Sequence, residues 1–304
     1  MAKKQLWGIS KQMLKVAVTG TLLYLVYREV DLNEVKQIFL TSNPAWLLAA
    51  LLLYLASQVV SSWRSLTFFK AKGLTLTFPF NLRLYLLGMF YNLFLPGGIG
   101  GDGYKIYLLR KRFNFSGKKL LNAVFLDRLS GLWAIGVLAG LLTVFLPQLG
   151  IPVALVLGAL VVGSVAYVLV LKWVFKMPPR YTVVAHLKAL GVQSLQVGSV
   201  LAILTALHFE GKYSPYLFTF LASSLAAIFP FTVGGLGARE YVFLQASVFL
   251  HMDEHIAVFV SFVFYLQSAL ISLCGVYFVF RSKEFEPMPE KDTGLDALET
   301  ENAP

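Results

Sequence analysis

The chain has 304 residues, of which 57% are hydrophobic and only 14% charged, with a mean hydropathy of +0.70. Soluble domains carry about 25% charged residues, so this deficit excludes an ordinary water-soluble enzyme and requires an apolar second solvent. The net charge of +10 does not point to nucleic acid, because the basic residues punctuate apolar runs, as they do where charge orients a membrane protein.

Lys3, Lys4, Lys11 and Lys15 precede the first apolar stretch and no small-residue cleavage site follows it, so an uncleaved signal-anchor span is expected over 13–30. Lys15 and Arg28 must snorkel at its ends. Gln37 to Trp63 carries no charge and predicts a span over 44–63. About 20 apolar helical residues cross the roughly 30 Å hydrocarbon core, and a helix satisfies its own backbone there. The next apolar segments are 84–96, 120–146, 152–171, 189–208, 216–229 and 256–280. Two of them, 84–96 and 216–229, are too short to cross. Segment 84–96 has Arg64, Lys70, Lys72 and Arg83 before it and a basic stretch from Gly103 to Lys119 after it, so it should enter and leave on the cytoplasmic side. Parity places both flanks of 216–229 outside. The expected fold is therefore an all-α integral membrane protein with six full spans plus two re-entrant Gly/Pro-broken segments, in the plasma (inner) membrane with both termini cytoplasmic. Residues 1–282 form the transmembrane domain, and 283–304 read as a disordered acidic cytoplasmic tail.

Both short segments end in similar breaks. Asn92 leads into Pro96, Gly97, Gly98, Gly100, Gly101 and Asp102, and the second break contains Pro230, Gly234, Gly235, Gly237, Arg239 and Glu240. Aligning Gly97 with Gly234 superposes Gly-Gly-[Ile/Leu]-Gly, and Pro152 to Gly234 is nearly as long as Met13 to Gly97. Each half reads span, span, re-entrant segment, span, and the two start on opposite sides, so inverted repeats are expected over about 13–146 and 152–280. Paired broken segments at matching places point to a transporter's binding site. Irregular backbone survives at membrane depth only where it lines a cavity or is buried in protein. A helix starting after the glycines would aim free N–H groups at an anion such as a lipid phosphate. The alternative is that the glycines simply let helices pack closely.

Ionisable residues at depth are functional candidates. Asp127 and Arg128 start a long apolar run and, as sequence neighbours on a helix, should diverge rather than pair. Arg128 suits a bidentate phosphate contact. The other reading is that both snorkel or brace a neighbouring span. Asp102, Lys105, Arg239 and Glu240 stand at the mouths of the breaks, as head-group contacts, a proton-carrying carboxylate, or solvated helix starts. Gln193 and Gln196 line a cavity or bond across helices. His251 and His255 have metal-compatible spacing, but they fall in an expected outside loop without a catalytic partner, so no metal site is expected. The lone Cys274 excludes a disulfide framework. No P-loop motif occurs, no cofactor is expected, and any pumping must draw on an ion gradient or another protein.

The Pro96–Gly101 break, the Leu126-Asp127-Arg128 to Gly131-Leu132 stretch and the Pro230–Glu240 break resemble the flippase-like membrane family named for the transmembrane region of lysylphosphatidylglycerol synthase, over roughly residues 10–282. The resemblance implies a lipid-handling protein. Relatives fused to a soluble aminoacyl-transferase are implied to be enzymes; here a short tail follows the last span, so no transferase activity is expected. The expected function is a lipid flippase moving a phosphate-bearing lipid, either a phospholipid or a polyprenyl-phosphate-linked one. Alternatives are a non-transporting subunit partnering a lipid-modifying enzyme, or a membrane enzyme acting on lipid phosphates.

Overall fold

A computed structural model describes residues 32–94, 100–226 and 236–281, together with Thr21, Tyr24 and Phe285. The expected span over 13–30 lies outside the described residues except for Thr21 and Tyr24. So do Pro96, Gly97, Gly98, Pro230, Gly234 and Gly235, and nearly all of the expected tail. Among the described residues the secondary structure is helical, with no strand.

A short helix α1 (Leu32–Thr41) precedes α2 (Pro44–Ala71). The start of α2 is fixed locally. Asn43 Oδ1 accepts the Ala45 N–H at 2.9 Å, and Pro44 occupies a first-turn position where a missing N–H leaves nothing unsatisfied. The exit turn contains Gly73 at φ +94°, a left-handed conformation that favours glycine. There follow α3 (Phe78–Phe94), α4 (Gly100–Phe113), α5 (Gly117–Leu142), α6 (Val153–Trp173), α7 (Pro179–Ala206), α8 (Tyr213–Ala226), α9 (Ala238–Leu250), α10 (Glu254–Leu273) and α11 (Val276–Phe280). A 3₁₀ turn, Thr143–Phe145, extends α5. Among the described residues, five stretches are long and apolar enough to cross a bilayer: Pro44–Ala71, Gly117–Phe145, Val153–Trp173, Pro179–Ala206 and Glu254–Phe280. The chain is a multi-pass membrane protein.

The distribution of side chains agrees. Serines, glutamines and ions such as Arg64, Asp102 and Glu240 are buried, whereas Val162, Phe249 and Phe280 face outward. A water-soluble fold does the reverse. The most apolar window of α6 has no fully buried residue, and only a narrow face carrying Leu160, Ser164 and Tyr167 is partly covered, so most of this helix faces outward. Its inner anchor is a ring cluster: the Tyr167 hydroxyl reaches His186 Nε2 at 2.9 Å, and Trp133 of α5 packs edge-on to His186 with centroids 5.0 Å apart.

Helices α2 and α7 make the most extensive helix–helix contact, and they run antiparallel. Asn43 N–H donates to Ala206 O at 2.8 Å, Ser199 Oγ to Ala50 O at 2.9 Å, and Lys188 Nζ to Thr67 Oγ1 at 2.9 Å. Pairing therefore steps up one helix as it steps down the other.

Each short segment is one arm of a helical hairpin. The structure moves the boundaries: the stretch after Gly103, expected to be a basic loop, belongs to α4, and the expected outside loop after Arg239 belongs to α9. In the first hairpin Tyr91 stacks edge-on with Tyr104 (4.5 Å), Tyr85 lies beneath Lys105 (5.3 Å) and Phe80 beneath Arg112 (5.0 Å), an antiparallel register. In the second, Ser224 meets Arg239 (3.4 Å) and the Tyr216 hydroxyl accepts Asp253 N–H (3.1 Å), again antiparallel. The arms have 17, 14, 14 and 13 residues, or roughly 20–25 Å each, less than the hydrocarbon thickness. The first hairpin packs on α2, α5 and α10, and the second on α7, α10 and α5.

Candidate functional site

The first break is held by side chains from both arms. Asn92 Oδ1 of α3 accepts the Gly101 N–H of α4 at 2.9 Å, so a side chain supplies one partner to the exposed start of the returning helix. Glycine is required at position 101. A Cβ there would run into the backbone oxygen of Gly88 and lie 2.9 Å from Asn92 Oδ1, whereas one at Gly103 would meet nothing within 4 Å. The packing reading of the glycines thus holds for Gly101. Gly100 opens α4, and Asp102 follows in its first turn, where the helix dipole favours a carboxylate.

Asp102 is the hub of an ion cluster. Its Oδ1 accepts from Lys105 Nζ at 2.8 Å, one turn along α4, and its Oδ2 is bound by Arg128 of α5 through Nε and Nη2. Asp127 points the other way and takes Arg64 Nε of α2 at 2.8 Å. The expected divergence of the neighbouring pair is what lets α5 brace two different elements. Among the described residues, three cations face two carboxylates in this group, an excess of one positive charge. Four of the five side chains are largely buried, but that of Arg128 is 40% exposed, which makes it the cluster's accessible cation.

A polar seam runs from this cluster along α2. Tyr54, Ser57, Gln58, Ser61, Arg64 and Ser65 recur every three or four residues and so share one face. The Tyr85 hydroxyl of α3 reaches Ser61 Oγ (2.8 Å) and Gln58 Oε1 (3.2 Å). Asn81 Nδ2 donates to Ser62 O (2.7 Å) and Ser65 Oγ (2.9 Å). From α7, Gln196 Nε2 reaches Ser57 Oγ (3.4 Å), and Ser199 Oγ lies 3.0 Å from Gln267 Oε1 of α10. Gln193 is buried, and its Oε1 has no hydrogen-bond partner among the described residues.

The second break is braced differently. Gly237 adopts φ +82°, and its N–H donates to Glu240 Oε2 at 2.7 Å, while Ser261 of α10 donates to Oε1 at 2.9 Å. Both oxygens of this 2%-exposed carboxylate are thereby engaged in holding the turn and α10 together. Arg239 lies over the rings of Phe264 (5.3 Å) and Phe220 (5.8 Å). The Tyr54 hydroxyl donates to Ser268 Oγ at 3.0 Å, which ties α2 to α10, the helix on which both hairpins pack. The seam therefore links the two hairpins.

Residues 12–190 match the family described as the lysylphosphatidylglycerol synthase TM region. The chain belongs to this family. The matched residues contain the whole first hairpin and all five members of the ion cluster, while the second hairpin lies beyond them. A search of the curated proteins returns no match. Membership in a lysylphosphatidylglycerol synthase TM-region family gives the chain a lipid-related membrane role.

Sequence reading missed Arg64, Asn81 and Tyr85. The uncharged run stops at Trp63, so Arg64 reads in the sequence as a basic flank, yet α2 continues to Ala71 and buries it. The signal was present as the one-turn recurrence of polar residues from Tyr54 to Ser65.

Proposed function

We propose that this protein moves a phosphate-bearing lipid between leaflets, with the head group passing along the polar seam between two broken hairpins that enter the membrane from opposite faces. The observation that carries this reading is the ion cluster of Arg64, Asp102, Lys105, Asp127 and Arg128. It sits inside a helix bundle surrounded by apolar surface, has one positive charge in excess, and exposes Arg128. A guanidinium engages phosphate in forked geometry, and a charge at membrane depth is costly enough to mark a pathway. The two-half arrangement supports it. Each hairpin packs on two long helices of its own half and on the last long helix of the other half, and α2 and α7, the matching helices, are antiparallel as inversion requires. Asp102 would hold Arg128 in place and yield it to an incoming phosphate.

A second reading, a non-transporting subunit of a lipid-modifying system, is favoured by one observation: Asp102, Asp127 and Glu240 all have both their positions and their partners fixed within the protein. Proteoliposomes with lipids tagged by a dithionite-reducible dye separate the two. Transport predicts bleaching beyond the outer-leaflet half with wild type and loss of that excess in Arg128→Ala, in protein that still elutes as a folded species. A subunit role predicts bleaching confined to the outer leaflet for both.

A further inference from the structure

We infer that the basic end of the α2–α7 pair holds the phosphate group of an anionic phospholipid at a fixed site, apart from the ion cluster and the seam. A cavity of about 350 Å³ opens between the last turns of α2 and the first turns of α7. Lys70, Arg180 and Lys188 all line it, and no carboxylate does. Three like charges around one space repel, and an anion among them removes that penalty. The innermost cation is placed rather than free to wander. Lys188 Nζ donates to Thr67 Oγ1 at 2.9 Å and to Trp63 O at 3.3 Å, and it lies 4.0 Å from the Trp63 ring centroid.

The depth of the site selects a lipid over a soluble anion. Lys70 to Trp63 is two helical turns, about 10 Å along the axis. The 28 residues of α2 span about 42 Å against a hydrocarbon core of roughly 30 Å, so the cavity straddles the head-group boundary. Its outer wall is apolar and turned outward: Trp63 is 54% exposed and Val184 39%. An acyl chain descends along such a wall while its phosphate stays with the cations, and indole rings favour this level of the membrane. A soluble phosphate gains nothing from that wall.

The test is native mass spectrometry of the purified full-length chain titrated with phosphatidic acid or with phosphatidylcholine, alongside the triple variant Lys70→Gln/Arg180→Gln/Lys188→Gln. A variant at a different basic flank, Lys118→Gln/Lys119→Gln, serves as control. The inference predicts that phosphatidic acid binds wild type and control alike and the triple variant about tenfold more weakly, or about 1.4 kcal/mol at the equivalent standard state. Millimolar inorganic phosphate should not displace it. Should the triple variant fail to fold, Lys70→Gln and Arg180→Gln, both at exposed positions, are each expected to weaken binding about threefold. Equal binding by wild type and the charge-removed variants overturns the site, as does an equal loss in the control. Displacement by inorganic phosphate overturns the lipid assignment. Leaflet exchange is read separately in proteoliposomes, so this site stands or falls independently of transport.

Discussion

Removing Asp127 should unmask the charge of Arg64. Arg64 is 6% exposed, and its Nε lies 2.8 Å from Asp127 Oδ1. That contact places the charge centres roughly 4 Å apart, where attraction is about 4 kcal/mol at an effective dielectric of ~20. Ser61 Oγ, 3.4 Å from Nη2, is a weak substitute. Breaking a buried pair by deleting one partner typically costs about 3–5 kcal/mol, because an uncompensated ion remains, whereas replacing both partners by apolar groups is often close to neutral. Asp127→Leu is therefore expected to cost about 3 kcal/mol or more, and Arg64→Met/Asp127→Leu to cost less than Asp127→Leu alone, with Arg64→Met as the other single variant of the cycle. The assay is equilibrium unfolding of the four species of the cycle in mixed micelles of dodecyl maltoside and dodecyl sulfate, followed by tryptophan fluorescence. Additive effects, with a coupling below about 0.5 kcal/mol, would refute the claim that this pair is desolvated and mutually dependent.

Gly101→Ala should lower the yield of folded protein sharply, since the added methyl meets backbone of α3, while Gly103→Ala should leave size-exclusion behaviour unchanged. Glu240→Ala strands the Gly237 N–H and the Ser261 hydroxyl in a buried turn, at about 1–3 kcal/mol for each unsatisfied group, and should lower the thermal midpoint in detergent. Asp102→Asn should weaken the hold on both Lys105 and Arg128. If Asp102 positions Arg128 for a head group, leaflet exchange slows in this variant even where the folded yield is retained, and a rate equal to wild type would separate the two residues functionally.

The long spans were legible because their apolar runs leave the backbone one solution in lipid, but their ends were not: the span expected over 189–208 begins at Pro179, and the one expected over 44–63 continues to Ala71. The returning arms of the hairpins were not. In α4, Lys105, Arg110, Lys111 and Arg112 raise the charge of a helix that nevertheless packs, with the charged ends of Lys105 and Arg112 lying over the rings of Tyr85 and Phe80. In α9, Arg239 and Glu240 read as the mouth of a loop, whereas Glu240 turns back to cap the break. The divergence of Asp127 and Arg128 followed from helical geometry alone. Their partners did not, because Arg64 lies far away in sequence and sits in a stretch whose charge was assigned to a flank. Local patterning names the charged residues, and only packing says which of them meet.

The hairpin geometry makes a direct claim on topology. In a Cys274→Ser background, single cysteines at Thr77 and Ser116 bracket the first hairpin, and single cysteines at Lys212 and Glu254 bracket the second. Labelling by a membrane-impermeant maleimide in sealed vesicles of known orientation should reach the first two from one face and the second two from the opposite face. If Thr77→Cys and Ser116→Cys label from different faces, the first hairpin crosses the membrane, and the passage between two opposed half-depth elements does not exist.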